Sequence, residues 1–204
     1  MKRFKKVILS LSVPIVLNAC SSGDAESPTQ EHLSSKGSLA ISSDKKTAVN
    51  QEQLLLPGIS AGKVKLGQDA KEVYAKLGKA DAGDASMQKS VSIWYKNHDQ
   101  ESYSTSIYTV RDTGDNPAAK IQQVRVTSPE LKTEEGIGVS STLELIKQKY
   151  SVRKLTDITD RGRVLVIYDS MAGIAFETDI KGICKAVIIH RANESLKTTS
   201  LPLR

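Results

Sequence analysis

Gly62-Lys63-Val64-Lys65-Leu66-Gly67 and, 73 residues later, Glu135-Gly136-Ile137-Gly138-Val139-Ser140 decide the reading of this chain. Each is a short alternating stretch that leads into a helix. The first helix, about Asp69 to Leu77, sets Ala70, Val73, Tyr74 and Leu77 on one face and stops at Gly78. The second, about Thr142 to Tyr150, does the same with Leu143, Ile146 and Tyr150. Asp69 with Glu72 and Ser141 with Glu144 have capping-box spacing, the second pair one residue out of the 73-residue shift.

Three strand-like runs follow each helix. They are Ser90 to Lys96, Ser102 to Arg111 and Ile121 to Thr127, then Arg163 to Asp169, Gly173 to Thr178 and Lys185 to Arg191. Asp112-Thr113-Gly114-Asp115-Asn116-Pro117 is a hairpin connection, and Tyr95 and Tyr168 correspond under the same shift. The expected fold is α+β: two tandem helix-plus-antiparallel-meander repeats, 57–128 and 129–192, in one domain. Its roughly 135 residues suffice for one core, and residues 193–204 form a C-terminal tail.

Ahead of this domain, Leu54-Leu55-Leu56 and the turn at Pro57-Gly58 mark the boundary. Residues 21 to about 53 are rich in Ser, Asp, Glu, Gln, Lys and Thr and contain no aromatic, so they bury too little to offset their ordering entropy. They read as a flexible tether, within a 20–56 segment, whose coil spans about 30–35 Å.

At the amino terminus Lys2, Arg3, Lys5 and Lys6 precede an uninterrupted, mostly apolar run from Val7 to Leu17 with Pro14 inside it. That run is about half the ~20 residues a spanning helix needs, so residues 1–19 read as a secretory signal. Leu17-Asn18-Ala19-Cys20 resembles the bacterial lipobox, which implies cleavage before Cys20 and lipid on its sulfur. Two or three acyl chains exceed what stable anchoring requires. Four of the 29 Lys and Arg and none of the 23 Asp and Glu precede Cys20, leaving 25 basic against 23 acidic residues and a formal charge of +2. Nothing in that balance points to nucleic acid. Cys184 is then the one remaining thiol, read as a small packed residue rather than a redox site.

Leu66-Gly67-Gln68-Asp69-Ala70-Lys71-Glu72-Val73-Tyr74-Ala75-Lys76-Leu77-Gly78 resembles the helix signature of the small outer-membrane assembly lipoproteins of the SmpA/OmlA type and of their tandem-repeat relatives typified by the β-lactamase inhibitory protein. The likeness is specific over these 13 residues and general over the 57–192 layout. It implies a non-enzymatic protein that holds another protein with its sheet surface or loops.

The chemistry-bearing residues agree with that implication. Of the three histidines, His32 lies in the tether, His98 in a polar loop and His190 near the last strand, without metal-ligand spacing. No nucleophile elbow, phosphate loop or Cys-x-x-Cys pair occurs, and no cofactor is expected. Asp169 with Ser170, and Glu177 with Asp179, are the residues a hydrolase would use if there were one. Lys147, Lys149, Arg153 and Lys154 read as a solvated basic face. In Val91-Ser92-Ile93-Trp94-Tyr95-Lys96, alternation separates Val91, Ile93 and Tyr95 from Ser92, Trp94 and Lys96. If the helix covers the first set, Trp94 and Lys96 lie on the open face with Tyr108, Ser104 and Ser106, a patch suited to binding protein. The alternative is that Trp94 packs inside a common core.

The expectation is therefore an envelope lipoprotein held to the membrane by Cys20, at the outer membrane facing the periplasm, that binds or assembles an envelope protein. A structural envelope component without a discrete site and, less favoured, a cell-wall hydrolase stay open.

Overall fold

The computed structural model describes residues 51–197 except Asn116. All belong to the second of the two units into which the chain divides, Lys45–Arg204. The signal, Cys20, nearly all of the tether and residues 198–204 lie outside the described residues.

The described residues include elements ahead of Pro57, the expected start of the domain. Gln51–Gln53 form a short 3-10 turn, and Leu54 and Leu55 are buried. Leu54 and Leu55, expected at the end of the tether, are thus buried with the domain. A small antiparallel sheet follows, made of β1 (Leu55–Leu56), β2 (Ser60–Ala61) and β3 (Val64–Lys65). Gly58, at φ 71°, donates its N–H to Gly173 O at 3.0 Å, an approach that a Cβ on Gly173 would block at 2.6 Å from Gly58 Cα. Leu55 N–H donates to Lys132 O at 2.8 Å.

The main body is a single antiparallel sheet of eight strands fed by two helices. Helix α1 (Ala70–Leu77) precedes β4 (Ala82–Ser86), β5 (Lys89–Tyr95), β6 (Ser104–Arg111) and β7 (Ala119–Val126). Helix α2 (Leu143–Lys149) precedes β8 (Arg153–Asp160), β9 (Arg163–Ser170), β10 (Ile174–Asp179) and β11 (Cys184–Ile189). The order across the sheet is β4-β5-β6-β7-β11-β10-β9-β8. Each meander therefore has four strands, not three.

The two added strands escape sequence reading for physical reasons. β4 reads Ala-Gly-Asp-Ala-Ser, without a β-branched or aromatic residue. β8 carries Arg153, Lys154, Asp157 and Asp160, the charges of an edge strand. Their hairpin turns have positive φ at both central residues, Met87 and Gln88 (48° and 64°) and Arg161 and Gly162 (47° and 75°). Asn-Gly is the usual residue pair for such turns, and neither turn has it.

The entries to the two helices match closely. Gly67 (φ 75°) donates to Ile121 O at 2.7 Å and Gln68 O accepts from Ile121 N at 3.1 Å. Ser140 (φ 74°) donates to Cys184 O and Ser141 O accepts from Cys184 N, both at 2.9 Å. The N-caps are Asp69, accepting from Lys71 N at 2.9 Å, and Thr142, accepting from Leu145 N at 3.3 Å. Thr142, not Ser141, caps α2, and the caps stand 73 residues apart with no offset. Ser141 Oγ accepts instead from Gly138 N.

The sheet ladders agree too. Ser106, Ile107 and Tyr108 pair with Arg125, Val124 and Gln123 before the register slips; Ala175, Phe176 and Glu177 pair with Ile188, Val187 and Ala186 before it slips likewise. Ile93 pairs with Ser106 as Asp169 pairs with Ala175. This places Tyr168 opposite in role to Ser92, so the expected Tyr95–Tyr168 correspondence fails: the meanders are offset by 76 residues at that strand, not 73.

Ile107, Val124, Val126, Phe176, Val187 and Ile189 point from the sheet to the helix side, where they meet Val73, Ile146, Leu55, Val64 and Ile137. Tyr150, just past α2, stacks at 5.6 Å on Phe176 and donates its hydroxyl to Glu135 Oε2 at 2.6 Å. Burial first, then that bond, pushes the Tyr150 phenol up to about 12. The native chain holds this proton more tightly than the unfolded chain, whose tyrosines titrate near pH ~10. Stability is therefore full below that pH and falls as pH rises from ~10 through ~12, by on the order of 2 kcal/mol. Denaturant titrations at stepped pH should show the fall, and Tyr150→Phe should remove this share of it, leaving the share of other buried groups whose pKa is raised.

Candidate functional site

The face without helices carries the candidate site. Helix α1 covers the Trp94 set, the reverse of the expected assignment. The Trp94 ring lies 5.1 Å from the Tyr74 ring on α1, and its Nε1–H donates to Gly78 O at 3.1 Å. Trp94 is half-buried against the helix-side core, which removes it from the proposed patch. Alternation separates two sets of residues without saying which set the helix takes. Tyr108 and Ser106 do lie on the helix-free face, but both are buried. Burial raises the Tyr108 phenol pKa. Lys96 is elsewhere, paired with Glu130 at 3.0 Å and 5.7 Å above the Tyr103 ring. The structure therefore does not bring Trp94, Tyr108 and Lys96 together.

The helix-free face is itself largely covered. Val91, Ile93, Tyr108, Ile167, Ala175, Ile188 and Leu196 form a second apolar cluster that joins β5 to β9. Arg161, in the β8–β9 turn, reaches Glu101 Oε1 at 3.2 Å and Gln100 O at 3.4 Å in the β5–β6 loop. Those hairpins are far apart in the strand order, so the contact requires the sheet to curl around this face.

Near the middle of the face Arg125 forks onto Glu177, Nε to Oε1 at 3.0 Å and Nη2 to Oε2 at 2.9 Å, with both side chains almost fully buried. At one end, residues 193–197 cross the strands. Ser195 Oγ and Leu196 N donate to Asp169 Oδ2 at 2.8 and 3.1 Å, Gln123 Nε2 donates to Lys197 O at 2.9 Å, and Leu196 is buried. His190 Nε2 sits 3.0 Å from the other Asp169 oxygen. At the opposite end, beneath the Arg161–Glu101 contact, lies a cleft of about 790 Å³. Tyr103, Val164 and Ile180 stand at its edge with 42%, 51% and 79% of their surfaces exposed.

The residues that hydrolysis would need are engaged in holding the fold. Glu177 pairs with Arg125, and Asp169 stands between Ser195 and His190, whereas nucleophile activation places the imidazole between hydroxyl and carboxylate. Asp179 accepts from Ile183 N and Lys181 N and pairs with Lys185; the Ile183 bond is the main reason its pKa lies below the usual carboxylate range. Ser170 Oγ accepts from Ala172 N. His98 Nδ1 lies 2.5 Å from Asp81, whose carboxyl is held low first by Tyr95 N–H and then by His98. Among the described residues no group of three or more His, Cys, Asp or Glu is arranged to hold a metal. Cys184 is fully buried, and burial, reinforced by the Glu177 charge, pushes its thiol up to about 12.

The buried fork and the packing of residues 193–197, expected as part of a C-terminal tail, across the sheet face are what sequence reading missed. Arg125 and Glu177 are 52 residues apart, and only a strand register could align them. Arg125→Ala should destabilise the fold by about 3–5 kcal/mol, and an Arg125→Met/Glu177→Leu double variant by far less, both read from denaturant midpoints. Trp94→Ala should cost roughly 2–3 kcal/mol in the same assay through lost packing on Tyr74. No family model, curated protein or solved structure matches this chain.

Proposed function

We propose that this chain is a lipid-anchored envelope protein, built from two copies of a helix-plus-four-strand unit, that binds a protein partner without catalysis through the cleft end of its helix-free sheet face. The amino-terminal charge, apolar run and Leu17-Asn18-Ala19-Cys20 support the anchor. Among the described residues no helix is long and apolar enough to cross a membrane. The matched helix entries and ladder slips support two copies of one unit. The outer membrane, periplasmic side, is the proposed location.

One observation carries the binding reading. Tyr103, Val164 and Ile180 are three of the eight exposed large apolar residues among those described, and they gather around one cleft. Clustered exposed apolar surface beside a concavity is where partners dock.

A photo-crosslinking residue at Val164 of the full lipidated chain, in bacterial cells, should capture one dominant envelope protein. The same probe at Ser43 should not. A Val164 probe that captures nothing in cells where the protein is folded and membrane-bound would favour a structural component without a discrete site. Cys20→Ala should shift the chain from the membrane to the soluble fraction and abolish incorporation of an alkyne-tagged fatty acid.

A further inference from the structure

The two ends of the helix-free face are related positions, one crossed by residues 193–197 and one that none of the described residues crosses. Matching the two meanders by their ladders pairs Lys89 with Leu165, Gln122 with Lys185 and His190 with Thr127. The first of each pair borders the strap formed by residues 193–197, and the second lines the cleft. Gln122 and Lys185 are also the residues skipped where the two ladders slip. The cleft is thus the counterpart, in the first meander, of the groove that the chain's own tail occupies in the second.

The difference has a covalent cause. After β11 the chain turns to the helix-free face and lays Leu196 into it. After β7 the chain turns the other way: Leu131 packs on the helix-side core and Lys132 O accepts from Leu55 N. That segment must continue to α2, so it cannot return to fill its own groove.

We propose that the cleft seats an extended, uncharged, aliphatic-bearing segment of the partner protein, lying across the strands as residues 193–197 lie across theirs. This rests on the two-unit, protein-binding reading above. The absence of charge follows from the pairing of the surrounding ions. Arg125 is bound to Glu177, Arg161 to Glu101 and Lys185 to Asp179. Arg163 and Asp160, register partners across the β8–β9 hairpin, are of opposite sign and favour neither sign of occupant. At the position of Asp169, which binds the strap through its carboxylate, the cleft has Ile93. Its occupant is held by apolar contact with Ile93 and Leu165, with the Ser102 and Ser140 hydroxyls in the wall for its backbone.

The test is panning of random heptapeptides displayed on phage against the full-length chain, followed by affinity measurement with the enriched peptides made synthetically. Enriched peptides should be uncharged with aliphatic residues at alternate positions. Val164→Glu and Ile180→Glu, both at exposed sites and expected to keep the melting temperature, should weaken them at least tenfold. Met87→Glu and Lys89→Glu should leave them unchanged. Peptides that bind equally well to the Val164 and Ile180 variants, or that are charged, overturn the inference. If the Val164 crosslink captures a partner but panning enriches nothing, the partner docks by a folded surface: the inference fails and the binding reading stands. If neither gives a signal, both fail.

Discussion

Three residue pairs hold the two halves of the main sheet together. Val124 with Ile189, Arg125 with Ile188 and Val126 with Val187 are the whole ladder between β7 and β11, against seven between β5 and β6. So short a seam could not resist splaying by backbone bonds alone. It is reinforced on both sides: on the helix face by the aliphatic side chains of the same strands, and on the other by Arg125, which reaches from β7 past β11 to Glu177 on β10. An unpaired charge at either end of that fork would be buried in the second apolar cluster, and so the register of the seam and the identity of these two residues are tied together.

The curl of the sheet follows from the seam and in turn makes the site. Apolar residues on the helix-free face of both halves find each other, Val91 and Ile93 from one and Ile167 and Ile188 from the other, and they draw the outer hairpins inward. The Arg161–Glu101 pair that spans the opening is solvent-exposed and adds little energy of its own. What it marks is how closely the hairpins approach. The concavity is therefore a product of packing that the chain needs for stability, and the cleft is the part of it that none of the described residues crosses.

How far this could be read beforehand depends on the range of the signal. Helix position and six strands were legible, because they rest on local periodicity and on residues such as Gly67 and Gly78, whose φ values of 75° and 79° few others adopt. Strand β4 was illegible because Met87-Gln88 makes a tight turn without glycine or asparagine, and its flank has no branched residue. The side on which Trp94 packs was illegible because a period of two is symmetric about the sheet plane; only Tyr74 and Gly78, on another element, break the tie. In the sequence Asp169 stands beside Ser170 as a residue a hydrolase would use. Its role is set by Leu196 and Ser195, 27 and 26 residues away.

The entry of the chain into the fold has a mechanical consequence. Leu55 is hydrogen-bonded to Lys132, in the connection between the halves, and Gly58 to Gly173, in the turn between β9 and β10. Tension applied through the residues before Gln51 is therefore shared between the connection and the second half before it reaches β4 or β5. Both bonds would have to rupture before the pull could begin to peel a strand from the edge of the sheet. A pull on this end of the chain is thus resisted by elements far along the sequence before it can act on the sheet edge.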